Sequence, residues 1–159
     1  MSQRTIQPAP VRKTLVVKAD IQRSFTAFTH RIGNWWPRNR SIGSAPQADV
    51  VIESRVGGRW YERGADGSES EWGKVLQWDP PARLVLAWQI DADFKYNPAC
   101  VTEVEVNFTA LGAEETRVDF EHRHLERLGA RSQIVRDMLD SGWVGVLDLY
   151  AKATQIMPS

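Results

Sequence analysis

Residues 100–110, CVTEVEVNFTA, alternate between two kinds of side chain with the two-residue period of a β-strand. One face is polar, and the other carries Thr102, Val104, Val106 and Phe108. A strand with one apolar and one polar face is typical of an antiparallel sheet that packs on a core with one side only. The stretch therefore predicts a sheet whose apolar face needs another layer to cover it.

Further strands and turns surround this stretch. Short apolar or β-branched runs predict strands at residues 11–18, 50–52, 59–63, 71–78, 84–90 and 116–120. Turn sequences such as Ala65-Asp66-Gly67-Ser68 join consecutive runs at hairpin length. The strands are therefore expected to pair antiparallel.

Helical patterns lie at both ends of the chain. Asp20 can cap a helix in which Phe25 and Phe28 share one face, and Pro37 ends a second short helix. Residues 129–155 form a long helical pattern, which is the obvious cover for the sheet. The order predicts an α+β fold, and the space between a curved sheet and a helix is the first place to look for a ligand.

Length and charge restrict the class of protein. The 159 residues suit one domain, assigned to residues 11–159 after a flexible leader at residues 1–10. Lys+Arg and Asp+Glu number 20 each, so a broad basic surface for nucleic acid is not expected. The single cysteine, Cys100, excludes an intramolecular disulfide and favours a reducing, cytoplasmic compartment. Neither a signal peptide nor an apolar run of the ~20 residues that a membrane helix needs is expected.

Aromatic side chains are the unusual feature of the composition, with seven tryptophans. An indole offers a large apolar face and one N–H donor, which suits a flat ligand with a polar edge. Core packing is the simpler explanation of any single tryptophan, and the inward face of each strand is uncertain by one residue. The expected lining of an internal cavity is Trp60, Trp72, Trp88, Phe108, Phe120, Met138, Trp143 and Tyr150.

Glu62 and His122 complete the candidate site. Glu62 shares a strand face with a tryptophan and would be a directional hydrogen-bond acceptor if it points inward. His122 and His124 lie two residues apart, a spacing that can present two imidazoles to a metal. A zinc site needs three or four ligands, however, and the only other histidine is the distant His30. We therefore expect no metal and no cofactor, and favour a strand that frays after Phe120 with both imidazoles at its rim.

Three motifs carry a resemblance to a known family: VGGRWYE at residues 56–62, WDPPARLVLAW at residues 78–88, and Gly142-Trp143. Together with Trp35-Trp36-Pro37, they resemble the START-like SRPBCC superfamily. The similarity is greatest to its branch of homologues of the activator of the heat-shock chaperone ATPase, and it extends over residues 11–153. The resemblance implies a helix-grip fold, with a seven-stranded antiparallel sheet wrapped around a long C-terminal helix and a hydrophobic cavity between them. Members of the superfamily bind lipids, hormones or polyketides, and some are cyclases.

The favoured function is binding of a small, apolar or aromatic ligand in that cavity. Arg38 and Arg40 follow Trp36-Pro37, and this segment would lie over the cavity mouth and steer an acidic ligand. A pair of exposed indoles at Trp35-Trp36 would serve as a homodimer contact, or would instead pack under the first helix.

Two other functions remain open. A co-chaperone that stimulates a chaperone ATPase is ranked lower, because eukaryotic activators of that type carry an additional N-terminal domain, for which residues 1–10 leave no room. An enzyme acting on a polyketide-like substrate is the other alternative, with His122, His124, Glu62 and Tyr150 as its available polar groups. No catalytic residue is assigned, since the chain has no nucleophile elbow, phosphate-binding loop or dinucleotide-binding turn.

Overall fold

Seven antiparallel strands form one sheet in the computed structural model, which describes residues 7–156. The predicted leader lies mostly outside the described residues, and residues 7–10 precede the first strand without regular secondary structure. The elements in chain order are β1 (Val11–Val17), α1 (Ile21–Thr29), α2 (Ile32–Trp35), β2 (Gln47–Ile52), β3 (Arg59–Gly64), β4 (Glu69–Asp79), β5 (Arg83–Trp88), β6 (Thr102–Gly112), β7 (Glu115–Arg123), a 3₁₀ turn (Leu125–Leu128) and α3 (Ser132–Ile156).

The strands lie in the order β1-β7-β6-β5-β4-β3-β2, so every consecutive pair from β2 to β7 is adjacent and β1 closes the far edge. The apolar residues of β6 fall in register with those of its neighbours: Val106 pairs with Leu84 of β5 and with Phe120 of β7. All three are buried. The alternation of residues 100–110 therefore continues across the sheet as one apolar inner face, and the predicted α+β helix-grip fold is confirmed.

Helices α1 and α2 connect β1 to β2; α1 packs on β6, β7 and α3, and α2 packs on β2 and α3. Asp20 caps α1 as predicted, because its Oδ1 accepts a hydrogen bond of 2.8 Å from the backbone N–H of Arg23. Trp35 and Trp36 are both buried, and Trp35 Nε1 donates to the carbonyl of Ala27 at 2.8 Å. Trp35 packs against Phe28 of α1, as one alternative predicted, whereas Trp36 packs on Trp72. Both are buried, so an exposed pair of indoles as a dimer contact is wrong.

Helix α3 starts later than the sequence predicts, and its first turns bury different residues, while Trp143 and Tyr150 point inward as predicted. Gly129, with φ of 88°, follows the 3₁₀ turn and delays the helix to Ser132. Met138, predicted to line the interior, is largely exposed and reaches the cavity only at its border, and Ile134 one turn earlier is exposed too, whereas Val135 and Leu139 are buried. Both pairs have helical spacing, and docking on the sheet selected the second. The buried residues of α3 are Ser132, Val135, Leu139, Trp143, Val146, Leu147, Tyr150 and Thr154.

Strand β7 runs beyond Phe120 as far as Arg123, so the predicted fraying is wrong. His122 pairs with Val104 of β6 and Val11 of β1 and is completely buried. His124 lies outside the strand with φ of 63°. The interior of the sheet thus holds one of the two imidazoles and not the other.

The outer face of the sheet is covered by ion pairs. Arg83 contacts Glu105 at 2.9 Å, and Arg123 contacts Glu103 at 2.9 Å. The hydrogen bond from Arg83 is the main reason that the pKa of Glu105 falls to about 2. Opposite charges on this face therefore compensate one another locally. Within residues 7–156, none of the helices combines the length and hydropathy needed to cross a bilayer.

Candidate functional site

A cavity of about 300 Å³ lies between the inner face of the sheet and α3. Its wall is mainly apolar, and its polar side chains come from one short segment between α2 and β2. The lining residues are Trp36, Asn39, Arg40, Ser41, Ile42, Trp72, Trp88, Ile90, Phe94, Met138, Leu139, Gly142, Trp143 and Val146. Strands β4 and β5, helix α3 and two connecting segments all contribute to it.

Four indoles form the core of the cavity wall. The ring centroid of Trp36 lies 5.0 Å from that of Trp72 and 5.8 Å from that of Trp143, and Trp88 lies 5.7 Å from Trp143. These distances are in the range of favourable tilted and edge-to-face aromatic pairs. All four are buried, so the wall is held rigidly before any ligand enters.

A fifth indole, Trp60, supports this wall from behind. Its ring centroid lies 5.4 Å from Trp72 and 5.5 Å from Trp88, in edge-to-face geometry. The side chain is 1% exposed, and its Nε1 donates to no acceptor among the described residues. Trp60 does not border the cavity, unlike Trp72 and Trp88, and packs in the core behind them.

His122 lies behind the cavity wall and orients Trp143 through a hydrogen bond to the indole N–H. Trp143 Nε1 donates to His122 Nδ1 at 3.2 Å, so Nδ1 must be the acceptor and the proton lies on Nε2. Nε2 in turn lies 2.8 Å from Thr102 Oγ1 and donates to it. The imidazole is neutral and fully hydrogen-bonded, and its role is to hold a cavity-wall side chain in place.

This buried imidazole predicts a pH dependence of stability. Burial lowers the pKa of His122 to about 3, whereas an unfolded chain protonates it near about 6.5. Its stabilising contribution is therefore fully present above about pH 6.5 and is lost as the pH falls towards about 3, at up to about 1.4 kcal/mol per pH unit. Urea unfolding at several pH values measures that slope.

Two glutamine variants provide the controls for this pH dependence. His122→Gln keeps one donor and one acceptor but does not titrate, so its free energy of unfolding should depend less on pH between about 6 and 4. His124→Gln, at a half-buried position outside the strand, should follow the wild-type slope. Equal slopes for wild type and His122→Gln would show that the imidazole does not titrate as described.

Glu62 holds the polar segment of the cavity wall. Its carboxylate is 1% exposed and accepts hydrogen bonds from the backbone N–H of Ile42 at 2.6 Å and of Gly43 at 3.2 Å. It also accepts from Trp72 Nε1 at 3.0 Å and from the hydroxyl of Ser41. Four donors compensate for burying the charge, and through them one carboxylate ties the segment and an indole to β3.

Phe108 and Tyr150 belong to a second aromatic cluster at the other end of α3. Phe108 lies 5.3 Å from Phe25, and Tyr150 lies 5.1 Å from Phe28. The hydroxyl of Tyr150 donates to the carbonyl of Ser24 at 2.8 Å, and burial raises its pKa. These side chains pack α1 against the sheet and α3, and they do not line the cavity.

Four of the ten predicted site residues line the cavity together: Trp72, Trp88, Met138 and Trp143. The structure places the other six behind the wall or away from it: Trp60, Glu62, Phe108, Phe120, His122 and Tyr150. Phe120 packs on Trp143 with ring centroids 4.4 Å apart. His124 is also outside the wall, and among residues 7–156 no group of three or more metal-ligating side chains is gathered.

Sequence reasoning missed most of the segment after α2. Trp36, Arg40, Ser41 and Ile42 line the cavity although the segment has no regular secondary structure. The signal available was the position of Arg40 after Trp36-Pro37, which suggested a segment over the cavity mouth. Nothing in the periodicity indicated Phe94, which reaches the cavity from the connection between β5 and β6.

Comparisons with known proteins agree with this architecture. The sequence model of the family described as Activator of Hsp90 ATPase homolog 1-like protein matches residues 18–152. A search of curated proteins finds no match. Among solved structures, the anthrahydroquino-γ-pyrone synthase Txn09 is 37% identical, with 92% of this chain and 96% of that chain covered and a TM-score of 0.66.

Two further solved structures are similar. The self-sacrificing resistance protein CalC from Micromonospora echinospora is 34% identical, with 92% of this chain and 94% of that chain covered and a TM-score of 0.68. The Aha1 dimer from Colwellia psychrerythraea is 15% identical, with 93% and 97% covered and a TM-score of 0.65, a likeness of fold alone. The family and the fold support a ligand-binding domain in general terms. The chain belongs to the Activator of Hsp90 ATPase homolog 1-like family, a helix-grip branch of the SRPBCC superfamily.

Proposed function

We propose that this protein binds a small, flat and largely apolar aromatic ligand in the cavity between the sheet and α3. The observation that carries the proposal is the wall of four indoles around about 300 Å³. Ligand pockets of about 300–1,000 Å³ with apolar walls and few polar groups are typical of small-molecule sites. Indole faces match the flat surface of a fused aromatic ring system.

The two neighbours with more than 30% identity support a ligand of this kind. One is named as a synthase of an anthrahydroquino-γ-pyrone, a fused and oxygenated aromatic system, and the other as a resistance protein. Both are matched over 92% of this chain. An anthraquinone is therefore the appropriate first probe.

Two glycines of α3 provide a matched test of the cavity. Gly142 lines it, whereas Gly145 is exposed, and a Cβ added there would have no atom within 4 Å. Gly142→Leu should place its side chain in the cavity and weaken anthraquinone binding at least tenfold. Gly145→Ala should leave binding unchanged and stabilise the helix by about 0.5–1 kcal/mol, because alanine replaces a helix-interior glycine.

Quenching of tryptophan fluorescence during titration with an anthraquinone measures both affinities, since four indoles surround the site. Thermal melting of the same samples shows whether each variant is folded. Saturable quenching in wild type and Gly145→Ala that is lost in Gly142→Leu supports the cavity as the binding site. Equal quenching in all three proteins would contradict it, and so would no quenching in wild type.

A second candidate function is ring closure of a bound polyketide-like molecule. The observation that favours it is a hydroxyl on the cavity wall, that of Ser41, which donates to the buried carboxylate of Glu62. When a hydroxyaryl β-diketone closes to a pyrone, the phenol oxygen attacks a carbonyl carbon and water leaves. Ser41 would accept the phenol proton while its own proton passes to Glu62, and Glu62 would return that proton to the former carbonyl oxygen, which restores the carboxylate. This oxygen then leaves as water with a hydrogen from the neighbouring carbon, which forms the ring double bond.

Ring closure is tested by following the absorbance of a flavone formed from a hydroxyaryl β-diketone. Wild type should accelerate its formation, and Ser41→Ala should lower kcat without a matching change in KM. A rate that is the same with and without protein would reject the enzyme and leave the binding proposal standing.

A further inference from the structure

Among the described residues that line the cavity, Arg40 is the only one with a charged side chain. No carboxylate of the described residues lies within 4.0 Å of its guanidinium, which donates no hydrogen bond to them either. Other arginines of the molecule are paired: Arg83 contacts Glu105, and Arg123 contacts Glu103. The cavity mouth thus holds one uncompensated positive charge.

The backbone of Arg40 is fixed although its side chain is exposed. Its carbonyl accepts hydrogen bonds from Trp36 Nε1 at 3.0 Å and from Gln47 Nε2 at 2.9 Å. The next residue, Ser41, is held by Glu62. The guanidinium is therefore attached to a rigid part of the wall, and a ligand that binds it does not need to order the segment first.

Helix α3 leaves room for the guanidinium at Gly142. A Cβ at that position would meet the guanidinium of Arg40 at 3.7–3.9 Å, in van der Waals contact. A larger side chain there would compete with Arg40 for the same space. The glycine and the arginine together form a small polar opening in a wall that is otherwise made of indole and aliphatic groups.

We propose that Arg40 binds an acidic group of the ligand, so that the cavity takes a planar aromatic acid rather than a neutral aromatic compound. This inference rests on the proposed function. A guanidinium presents parallel N–H donors that match a carboxylate in bidentate geometry. The aromatic part of such a ligand lies against the wall of indoles while its carboxylate reaches Arg40, which sets the orientation of the ligand.

Because the chain has no net charge, recognition of an acidic group depends on individual side chains near the ligand. Lys+Arg and Asp+Glu are equal in number, so no overall field attracts anions to the molecule. A preference for an acid must therefore come from a particular cation, and within the described part of the cavity wall Arg40 is the one available. The polar neighbours Asn39 and Ser41 lie on the same side of the cavity mouth and carry no charge.

A matched pair of ligands tests the inference: an anthraquinone carboxylate and the corresponding carboxamide, which has the same shape without the charge. We expect wild type to bind the acid about 10- to 100-fold more tightly than the amide, as for a charged hydrogen bond. Arg40→Gln should bind both ligands with the affinity that wild type has for the amide. Raising the salt concentration should weaken binding of the acid only.

Two further variants control for charge and geometry. Arg31→Gln removes the same charge from an exposed residue outside the cavity wall and should leave both affinities unchanged. Arg40→Lys keeps the charge without the planar fork and should retain part of the preference for the acid. Thermal melting of each variant confirms that it is folded.

The outcomes separate the inference from the proposed function. If wild type and Arg40→Gln bind the acid and the amide equally well, ligand binding stands and the role of Arg40 is overturned. If Arg31→Gln lowers the affinity for the acid as much as Arg40→Gln does, the preference is a general charge effect, and the role of Arg40 is again overturned. If neither ligand binds wild type, the proposed function and the inference fail together.

Discussion

Replacing Trp143 with alanine is expected to destabilise the fold by about 3–5 kcal/mol, the usual cost of removing a buried large aromatic side chain. Trp143 is 3% exposed and lies where α3 meets the sheet. It contacts Trp36, Trp88 and Phe120, with ring centroids 4.4–5.8 Å away. Urea unfolding measures the change in the free energy of unfolding. Anthraquinone binding should be lost as well, because the variant lacks one of the four indoles that line the cavity.

A phenylalanine variant separates the packing of Trp143 from its hydrogen bond. Trp143→Phe keeps an aromatic ring but removes the donor to His122 Nδ1, leaving a buried acceptor unpaired. We expect a loss of about 1–3 kcal/mol from that acceptor, together with a smaller packing loss. A cost below about 1 kcal/mol for Trp143→Ala would mean that the indole does not bridge α3 and the sheet as described.

Replacing Glu62 with alanine is the second large effect. Four hydrogen-bond donors lose their shared acceptor: the N–H groups of Ile42 and Gly43, Trp72 Nε1 and the hydroxyl of Ser41. Each buried donor left without an acceptor costs about 1–3 kcal/mol, so a total loss of about 3 kcal/mol or more is expected. The wall segment that contains Ser41 and Ile42 should loosen, and ligand affinity should fall with it.

Hydrogen exchange locates the effect of Glu62→Ala in the molecule. The amides of Ile42 and Gly43 should exchange faster in the variant, while the central strands keep their relative protection. Glu114→Ala provides the control, because Glu114 is exposed in the turn between β6 and β7 and its loss should change stability by no more than about 0.5 kcal/mol. Unchanged exchange at residues 42 and 43 in Glu62→Ala would contradict the role of the carboxylate.

Strand prediction succeeded where the side chains alternate with a clear period. In β6 the alternation of polar and apolar side chains allows only one face to point inward, since a shift of the register by one residue would bury Glu103 and Glu105. The end of β7 was mispredicted because His122 and His124 are polar residues of the same type. Pairing with β6 and β1 buries the first, and left-handed backbone at the second ends the strand.

The candidate site was predictable in part. Trp88 shares a strand face with Leu84 and Leu86, so its inward direction follows from the sequence. The residues two positions from Trp72 are Ser70 and Lys74, which are polar, so the inward direction of Trp72 was decided only by the tertiary structure. Tyr150 and Trp143 both lie on the buried face of α3, yet only Trp143 reaches the cavity. They are separated by about 10 Å along the helix at 1.5 Å per residue, and the sequence does not say which end of the helix borders the space.

Local sequence was sufficient for the order of the elements, for most strand faces and for the resemblance to the family, because each depends on side chains a few residues apart. The tertiary structure decided which residues in the first turns of α3 are buried. Val135 and Leu139 have the same helical spacing as Ile134 and Met138, and only contact with the sheet distinguishes them. It also decided that Arg40 lies at the cavity mouth. That position depends on hydrogen bonds from Trp36 and Gln47 and on the open space at Gly142, which is about 100 residues away in the chain.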